Sequence, residues 1–174
     1  MTTRQRWFDR NFAFDIAIAR FPDVIERLRG TPARLAERVE SLAPVELTGK
    51  PGGVWSIQEN VGHLLDLEPL WLARWENFRD HQTALVPADL QNRATDTANH
   101  NQAGLRSLLL GFRTARARLV DALENADESL RSATAQHPRL KQPMRLIDHA
   151  FFVAEHNDHH LATITALLRQ LRRQ

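Results

Sequence analysis

The sequence predicts an all-α protein, a four-helix bundle preceded by an N-terminal arm. Apolar residues recur at three- and four-residue spacing in four long segments, and no segment shows the strict alternation of a half-buried strand. The length of 174 residues suits one folded domain. We expect an arm over residues 1–21, where aromatic and charged side chains mix without a helical period, and a single bundle over residues 22–174.

The first two predicted helices are marked by turn and capping signals. One covers residues 22–43, with a bend near Gly30. The other follows the turn signal GKPGG, begins at Ser56 and continues to about Arg79 along one apolar stripe. Ser56 and Glu59 form an S-x-x-E capping box, in which each side chain accepts a backbone N–H at the start of the helix.

The second half of the chain predicts a long connection and two more helices. Residues 80–100 are polar and aperiodic, and a connection of this length in a compact domain is usually a lid or a covering loop. Helical periodicity resumes near Asn101. The last helix is expected to begin near Pro143 and to end near Arg172, where basic residues suit the negative end of the helix dipole. No β-strand is predicted.

Composition excludes several classes of function. The chain has no cysteine, so disulfides, thiolate metal ligands and a protein thiol nucleophile are excluded. No apolar run is long enough for a membrane span, and the N-terminus has no secretory h-region, so we expect a cytoplasmic protein that is not in a membrane. The formal net charge is only +2 and the basic residues are scattered, so no nucleic-acid partner is expected.

The segment EHNDHH, residues 155–160, contains three histidines with different helical positions. On a helix, His156 and His160 lie about 40° apart on one face, so their imidazoles can bind one divalent ion. His159 is rotated toward the edge of that face. The H-E-x-x-H motif of zinc proteases uses the same spacing, but its glutamate is absent here. An inward histidine is also commonly a core residue with a hydrogen-bond partner, so the spacing alone leaves both interpretations open.

A facing helix can supply a third ligand, and His63 is the candidate. Glu59 and Asp66 flank it on the same helix, and either could orient the imidazole or accept a proton. Three imidazoles and a water leave an open coordination position, which is typical of catalytic zinc sites. The remaining histidines of the predicted loops are expected to be exposed to solvent: His81, His100 and His137.

Two stretches resemble the signature regions of a known family. WSIQENVGHLLDLE at residues 55–68 and HPRLKQPMRLIDHAFFVAEHNDHHLATI at residues 137–164 are similar to the two signatures of the DinB/YfiT-like superfamily of metal-dependent enzymes. The resemblance covers most of the chain beyond residue 20 and implies a four-helix bundle, often a homodimer. It also implies one divalent ion, nickel or zinc, held by three histidines, which here are His63, His156 and His160.

The resemblance further implies an activity. Members with assigned chemistry include transferases that join low-molecular-weight thiols such as bacillithiol or mycothiol to electrophiles, and a thiol-dependent isomerase. We therefore expect a metal-dependent enzyme whose partner is a small-molecule substrate and whose cosubstrate is a low-molecular-weight thiol. Two alternatives stay open, namely a hydrolase that uses metal-bound hydroxide and a bundle that binds metal or ligand without turnover.

Overall fold

The structure, a computed structural model, describes residues 5–173. Within this range the chain forms the following α-helices: α1 (Phe21–Arg29), α2 (Thr31–Val39), α3 (Pro44–Thr48), α4 (Ile57–Asp66), α5 (Glu68–Arg79), α6 (Arg93–Thr97), α7 (Leu105–Glu124), α8 (Glu128–Ser132) and α9 (Leu146–Leu171). Helix α7 contacts α1, α2, α4 and α5, and α9 contacts α1, α4 and α5. The predicted four-helix bundle is confirmed, with α1–α2, α4–α5, α7 and α9 as its four helical units. None of the described helices is both long and apolar enough to cross a membrane.

Each of the first two helical units is interrupted once. Gly30 separates α1 from α2, at the position where a bend was predicted. The second unit was predicted to be continuous, but it is interrupted at Leu67, because Pro69 has no N–H to continue the helical ladder. The predicted capping box is present: Glu59 N–H donates to Ser56 Oγ at 3.1 Å, and Ser56 N–H donates to Glu59 Oε2 at 2.8 Å.

A β-hairpin precedes α9, so the expectation that the chain has no strand is wrong. Strand β1 (Thr134–His137) pairs antiparallel with β2 (Gln142–Arg145). The predicted start of the last helix is therefore also wrong: Pro143 lies within β2, and α9 begins at Leu146. Each strand has only four residues, which is too short for a clear alternating pattern in the sequence.

The hairpin tolerates Pro143 because its partner residue bonds elsewhere. Pro143 lies opposite Gln136 in the strand register. Gln136 N–H donates to the carbonyl oxygen of Thr83 at 2.8 Å, and its carbonyl accepts the N–H of Leu85 at 3.0 Å. The missing N–H of the proline therefore breaks no ladder bond. The same contacts tie the connection after α5 to the hairpin, so this connection is anchored at one end and contains α6 further along.

Buried polar residues divide the apolar core into two clusters. In α9, His156, Asn157 and His160 lie between Ala154, which belongs to one cluster, and Leu161, which belongs to the other. Burying polar groups is unfavourable unless they are hydrogen-bonded or bind an ion. This buried polar layer is therefore the candidate functional region of the fold.

An ion pair joins three helices within the polar layer. Arg116 of α7 pairs with Glu68 of α5 at 2.5 Å, and both side chains are 1% exposed. Arg116 also donates to Asn157 Oδ1 of α9 at 2.8 Å. Because a buried charge left without its partner is costly, these bonds favour one register of the three helices.

The chain before α1 packs against α9 and the hairpin. Trp7 and Phe12 both contact the Phe152 ring, with centroid separations of 5.0 and 5.1 Å. Arg145 donates to the carbonyl oxygen of Ile16 at 2.9 Å. Residues 1–4 of the expected arm lie outside the described residues.

Candidate metal centre

Three buried histidines from α4 and α9 lie together in the polar layer. His63, His156 and His160 are 3%, 5% and 8% exposed. The His63 ring centroid lies 5.4 Å from that of His156 and 4.7 Å from that of His160, and the last two are 4.6 Å apart. One nitrogen from each ring lies within 4.8 Å of the other two. The structure thus brings together the three residues that the sequence predicted as metal ligands.

A hydrogen-bond chain fixes the protonation of His63. The Thr95 hydroxyl donates to Asp66 Oδ2 at 2.7 Å, so its oxygen is left to accept from His63 Nδ1, which is 3.0 Å away. His100 Nε2 also lies 2.8 Å from Asp66 Oδ2. With the proton on Nδ1, the lone pair of neutral His63 is on Nε2, the form that can bind a metal.

A second chain fixes the protonation of His160. Asn60 Nδ2 donates to the carbonyl oxygen of Ser56 at 2.8 Å, which orients the amide so that its Oδ1 lies 2.8 Å from His160 Nδ1. An amide oxygen only accepts, so Nδ1 of His160 carries the proton. The lone pair of this ring is therefore also on Nε2.

His156 differs from the other two because its buried Nδ1 has no hydrogen-bond partner among residues 5–173. Burial, followed by the proximity of His63, lowers the pKa of His156 well below its ordinary value. Burial likewise lowers the pKa of His63 to about 4. Both rings are therefore neutral at pH 7, the state in which histidine binds a metal.

This donor set fits a divalent cation. Zinc–nitrogen bonds of about 2.0–2.1 Å place the nitrogens of a tetrahedral site roughly 3.4 Å apart, so the observed cluster needs only small side-chain shifts to close on an ion. Imidazole suits zinc and nickel. The incomplete hydrogen bonding of His156 also fits a ring that ligates rather than one that only packs. Three such ligands leave a position open for a small molecule.

A cavity of about 570 Å³ has these three histidines in its wall. Its size is that of a small-molecule site. The aromatic residues that line it are Trp7, Phe8, Trp55, Trp71 and Phe152, and the basic ones are Arg6, Arg74, Arg139 and Lys141. A molecule in the cavity would therefore contact the histidines, aromatic rings and cationic groups together.

Neither predicted acid, Glu59 or Asp66, is among the residues that line the cavity. Glu59 pairs with Lys50 at 2.6 Å and caps α4. Burial opposes its ionisation, but the contacts with Lys50 and the Ser56 N–H outweigh burial, so the pKa of Glu59 is lowered and its carboxylate is a weak base. Asp66 reaches His63 through Thr95, a contact through which its carboxylate can orient that imidazole.

Three further residues of the site were not predicted from the sequence: Asn60, Thr95 and His100. His100, expected to be exposed, is only 6% exposed, and His137 is 1% exposed, so both of those expectations are wrong. One signal for His100 was present: Gly62 lies inside α4, and a Cβ added there would come within 2.2 Å of the His100 ring. A glycine inside a helical pattern often marks such a close approach.

The other histidines of α9 lie outside the three-histidine cluster. His149 is fully buried, and its Nε2 lies 3.3 Å from the carbonyl oxygen of Trp71. His159 lines the cavity beside His160, with ring centroids 5.4 Å apart, and contacts Arg10 at 3.3 Å. Neither belongs to the group of nitrogens that could share one ion.

Comparison with known proteins agrees with this architecture. Among solved structures, YfiT from Bacillus subtilis, described as a probable metal-dependent hydrolase with an unusual four-helix bundle topology, matches with a TM-score of 0.82. The match covers 93% of each chain at 22% sequence identity, which shows a common fold. No curated protein gives a significant match. The model of the DinB superfamily matches residues 27–164, a range that contains all three clustered histidines. Because this range is well over half of the sequence, the chain belongs to the DinB superfamily.

Proposed function

We propose that this protein is a metal-dependent enzyme that transfers a low-molecular-weight thiol to an electrophilic small molecule. One divalent ion, nickel or zinc, would be held by His63, His156 and His160. The observation that carries this proposal is that three clustered imidazoles form part of the wall of a 570 Å³ cavity. When bound, such an ion supplies Lewis-acid chemistry, because it lowers the pKa of a water or thiol that it holds.

The surrounding residues prepare the site before a substrate arrives. Thr95 and Asn60 hold the protons of His63 and His160 on Nδ1, so that both lone pairs lie on Nε2, the nitrogen that would bind the metal. The aromatic side chains of the wall provide surfaces for an apolar substrate.

The scarcity of carboxylates in the cavity wall favours a thiol over water as the nucleophile. Among the described residues that line the cavity, Asp89 is the sole carboxylate. Its oxygens accept the backbone N–H groups of Gln91 and Arg93 at 3.0 and 2.9 Å, so both oxygens are already hydrogen-bonded within their own loop. A thiol, with an ordinary pKa of about 8.5, needs less help to ionise at neutral pH than water does.

The thiol must come from a cosubstrate, because the chain has no cysteine. In the transfer, the sulfur forms a bond to the electrophilic carbon, the leaving group departs with its electron pair, and the thiol proton passes to solvent. Hydrolysis is a second candidate, and the description of B. subtilis YfiT as a probable metal-dependent hydrolase favours it.

Metal analysis tests the site first. Purified protein should contain about one nickel or zinc per chain, and the metal should be lost in His63→Ala and His156→Ala. His81→Ala is the control, because His81 is exposed and outside the cluster. Full retention of metal in both cluster variants would exclude the proposed ligands.

Activity assays then separate the candidate functions. Thiol transfer predicts turnover of 1-chloro-2,4-dinitrobenzene only when a small thiol is added, with release of chloride. Hydrolysis predicts cleavage of a p-nitrophenyl ester without any thiol. Bound metal with neither activity would favour the alternative of a non-catalytic metal-binding bundle. The homodimer and the cytoplasmic location stay proposals, and light scattering should give twice the mass of one chain if the dimer forms.

A further inference from the structure

A buried arginine without a counter-ion lies in the wall of the same cavity. Arg74 of α5 is 2% exposed, and no carboxylate within residues 5–173 pairs with it. Its Nε donates to the carbonyl oxygen of Val86 at 3.0 Å, and its Nη1 lies 3.2 Å from His137 Nε2. Burial lowers the pKa of Arg74 to about 10, which still leaves it charged at neutral pH. Buried charges in proteins are normally paired, so this guanidinium needs an explanation.

His137 cannot fully satisfy the donors that surround it. The backbone N–H of Leu140 donates to its Nδ1 at 3.1 Å, and the guanidinium of Arg74 approaches its Nε2. A neutral imidazole has one lone-pair nitrogen and one N–H, so it can accept from only one of these two donors. Protonation would remove this one lone pair as well. Burial and the cationic neighbours, however, hold the pKa of His137 at about 3, so the ring is neutral at pH 7. One donor is therefore left without an acceptor.

A second guanidinium adds to the surplus of donors. Arg139, in the turn between β1 and β2, packs against the rings of Phe8 and Phe152 at 5.3 and 6.0 Å. Its Nη2 is buried and has no hydrogen-bond partner among residues 5–173. Arg139 is close enough to Arg74 to lower the pKa of that residue further. Two like charges held together without an acid between them require an anion for balance.

The side chains of the cavity wall do not supply the anion that would balance the charges of Arg74 and Arg139. Lys141, in the same turn, adds a third cation. Asp89 is the sole acid among the described residues of the wall, and its oxygens are bonded to backbone N–H groups rather than to a guanidinium. The guanidiniums and the three-histidine cluster line one continuous cavity, so a single molecule can contact both.

We propose that Arg74 and Arg139 bind an anionic group of the substrate, a carboxylate or a phosphate, while its apolar part lies against the aromatic wall and its reacting part reaches the three histidines. The planar fork of an arginine matches both anions with paired hydrogen bonds. This inference rests on the proposed function in that it takes the cavity to be the substrate site, but anion binding itself requires no metal.

Binding of three matched probes tests the proposal. Benzoate, phenyl phosphate and benzamide share one ring and differ in the charged group. Trp7, Trp55 and Trp71 line the cavity, so quenching of tryptophan fluorescence in the full-length protein reports binding. Benzoate or phenyl phosphate should bind at least tenfold more tightly than neutral benzamide, and the tighter of the two identifies the preferred anion.

Arginine variants assign the binding site. Arg139→Gln should weaken binding of the preferred anion roughly tenfold and leave benzamide binding unchanged. The anion affinity of Arg139→Lys should lie between those of the unsubstituted protein and Arg139→Gln. Arg118→Gln is the control, since Arg118 is an exposed arginine of α7 outside the cavity and the variant has the same loss of charge. Without ligand, Arg139→Gln should not lower the melting temperature, because it removes repulsion between the two guanidiniums. This result would separate a role in binding from a role in folding.

Repeating the titration in chelator-treated protein and in His63→Ala distinguishes this inference from the proposed function. Anion binding that persists there and depends on Arg139 supports the inference even if neither thiol transfer nor hydrolysis is found. Two results would overturn it: neither benzoate nor phenyl phosphate binding more tightly than benzamide, or binding of the preferred anion that is unchanged in Arg139→Gln.

Discussion

The hydroxyl of Thr95 links Asp66 to His63, and its removal tests how the site is oriented. Thr95 is 4% exposed, donates to Asp66 at 2.7 Å and accepts from His63 Nδ1 at 3.0 Å. Thr95→Val keeps the shape of the side chain and removes both bonds. His63 then loses the acceptor that holds its proton on Nδ1, and either tautomer of the free ring becomes accessible.

The expected loss follows from these two bonds. Removing a group that orients a metal-binding histidine typically weakens metal binding about 10–100-fold, or about 1.4–2.7 kcal/mol. The metal-free protein also loses stability, because the buried N–H of His63 is left unpaired, which costs about 1–3 kcal/mol. The lower half of that range is expected, since Asp66 keeps its bond to His100 at 2.8 Å.

Competition with a chromogenic chelator measures the affinity of each variant for zinc or nickel, and urea unfolding measures the stability of the metal-free form. Thr97→Val is the matched control: Thr97 is also in α6, is exposed, and donates to the carbonyl oxygen of Arg93 at 2.8 Å. If Thr95→Val binds the metal within threefold of Thr97→Val, the hydroxyl does not orient His63 and the reasoning fails.

Two further substitutions test the packing and the titration of the interior. Gly62→Ala should displace the His100 ring, destabilise the protein by about 1–3 kcal/mol and weaken metal binding. In the control Gly111→Ala, the added methyl group meets only a flexible leucine side chain, so urea unfolding should show no change or a gain in stability of about 0.5–1 kcal/mol. Equal effects of the two substitutions would contradict the close approach of His100 to Gly62. Burial lowers the pKa of His149 to about 3, so between pH 6.5 and 3 the unfolded chain binds a proton that the folded protein does not, and stability falls as the pH falls. His149→Phe should therefore reduce the loss of unfolding free energy between pH 7 and 5.5 by about 1 kcal/mol. The control variant is His81→Asn, at an exposed position with φ of 50°.

The elements that the sequence predicted well are those set by neighbours in the chain. The capping box of Ser56 and Glu59 depends on residues three apart, and both of its bonds are present. The placement of His156 and His160 on one face needs only the helical repeat. The bundle prediction made His63 the candidate for the third ligand, and the resemblance to the DinB family supported it; the family model matches residues 27–164, which include His63.

The hairpin before α9 could not be predicted from its own residues. Its strands have four residues each, and Pro143 favours neither a central strand nor a helix interior. The backbone of Gln136 in β1 bonds instead to Thr83 and Leu85, which are about 50 positions earlier in the chain. Since such pairings depend on the packed fold, they leave no local pattern.

What the sequence by itself determined is the bundle, its long helices and the candidate ligands, because helical periodicity, capping and the two signatures are all local in the chain. The tertiary structure decided the rest. It buried His100, brought Thr95 from the long connection to His63, and placed Arg139 beside Arg74 in one cavity. These placements join residues about 30 to 65 positions apart. The bonds of His100 and Thr95 gain their strength from the exclusion of water around paired polar groups, which only the packed bundle can do.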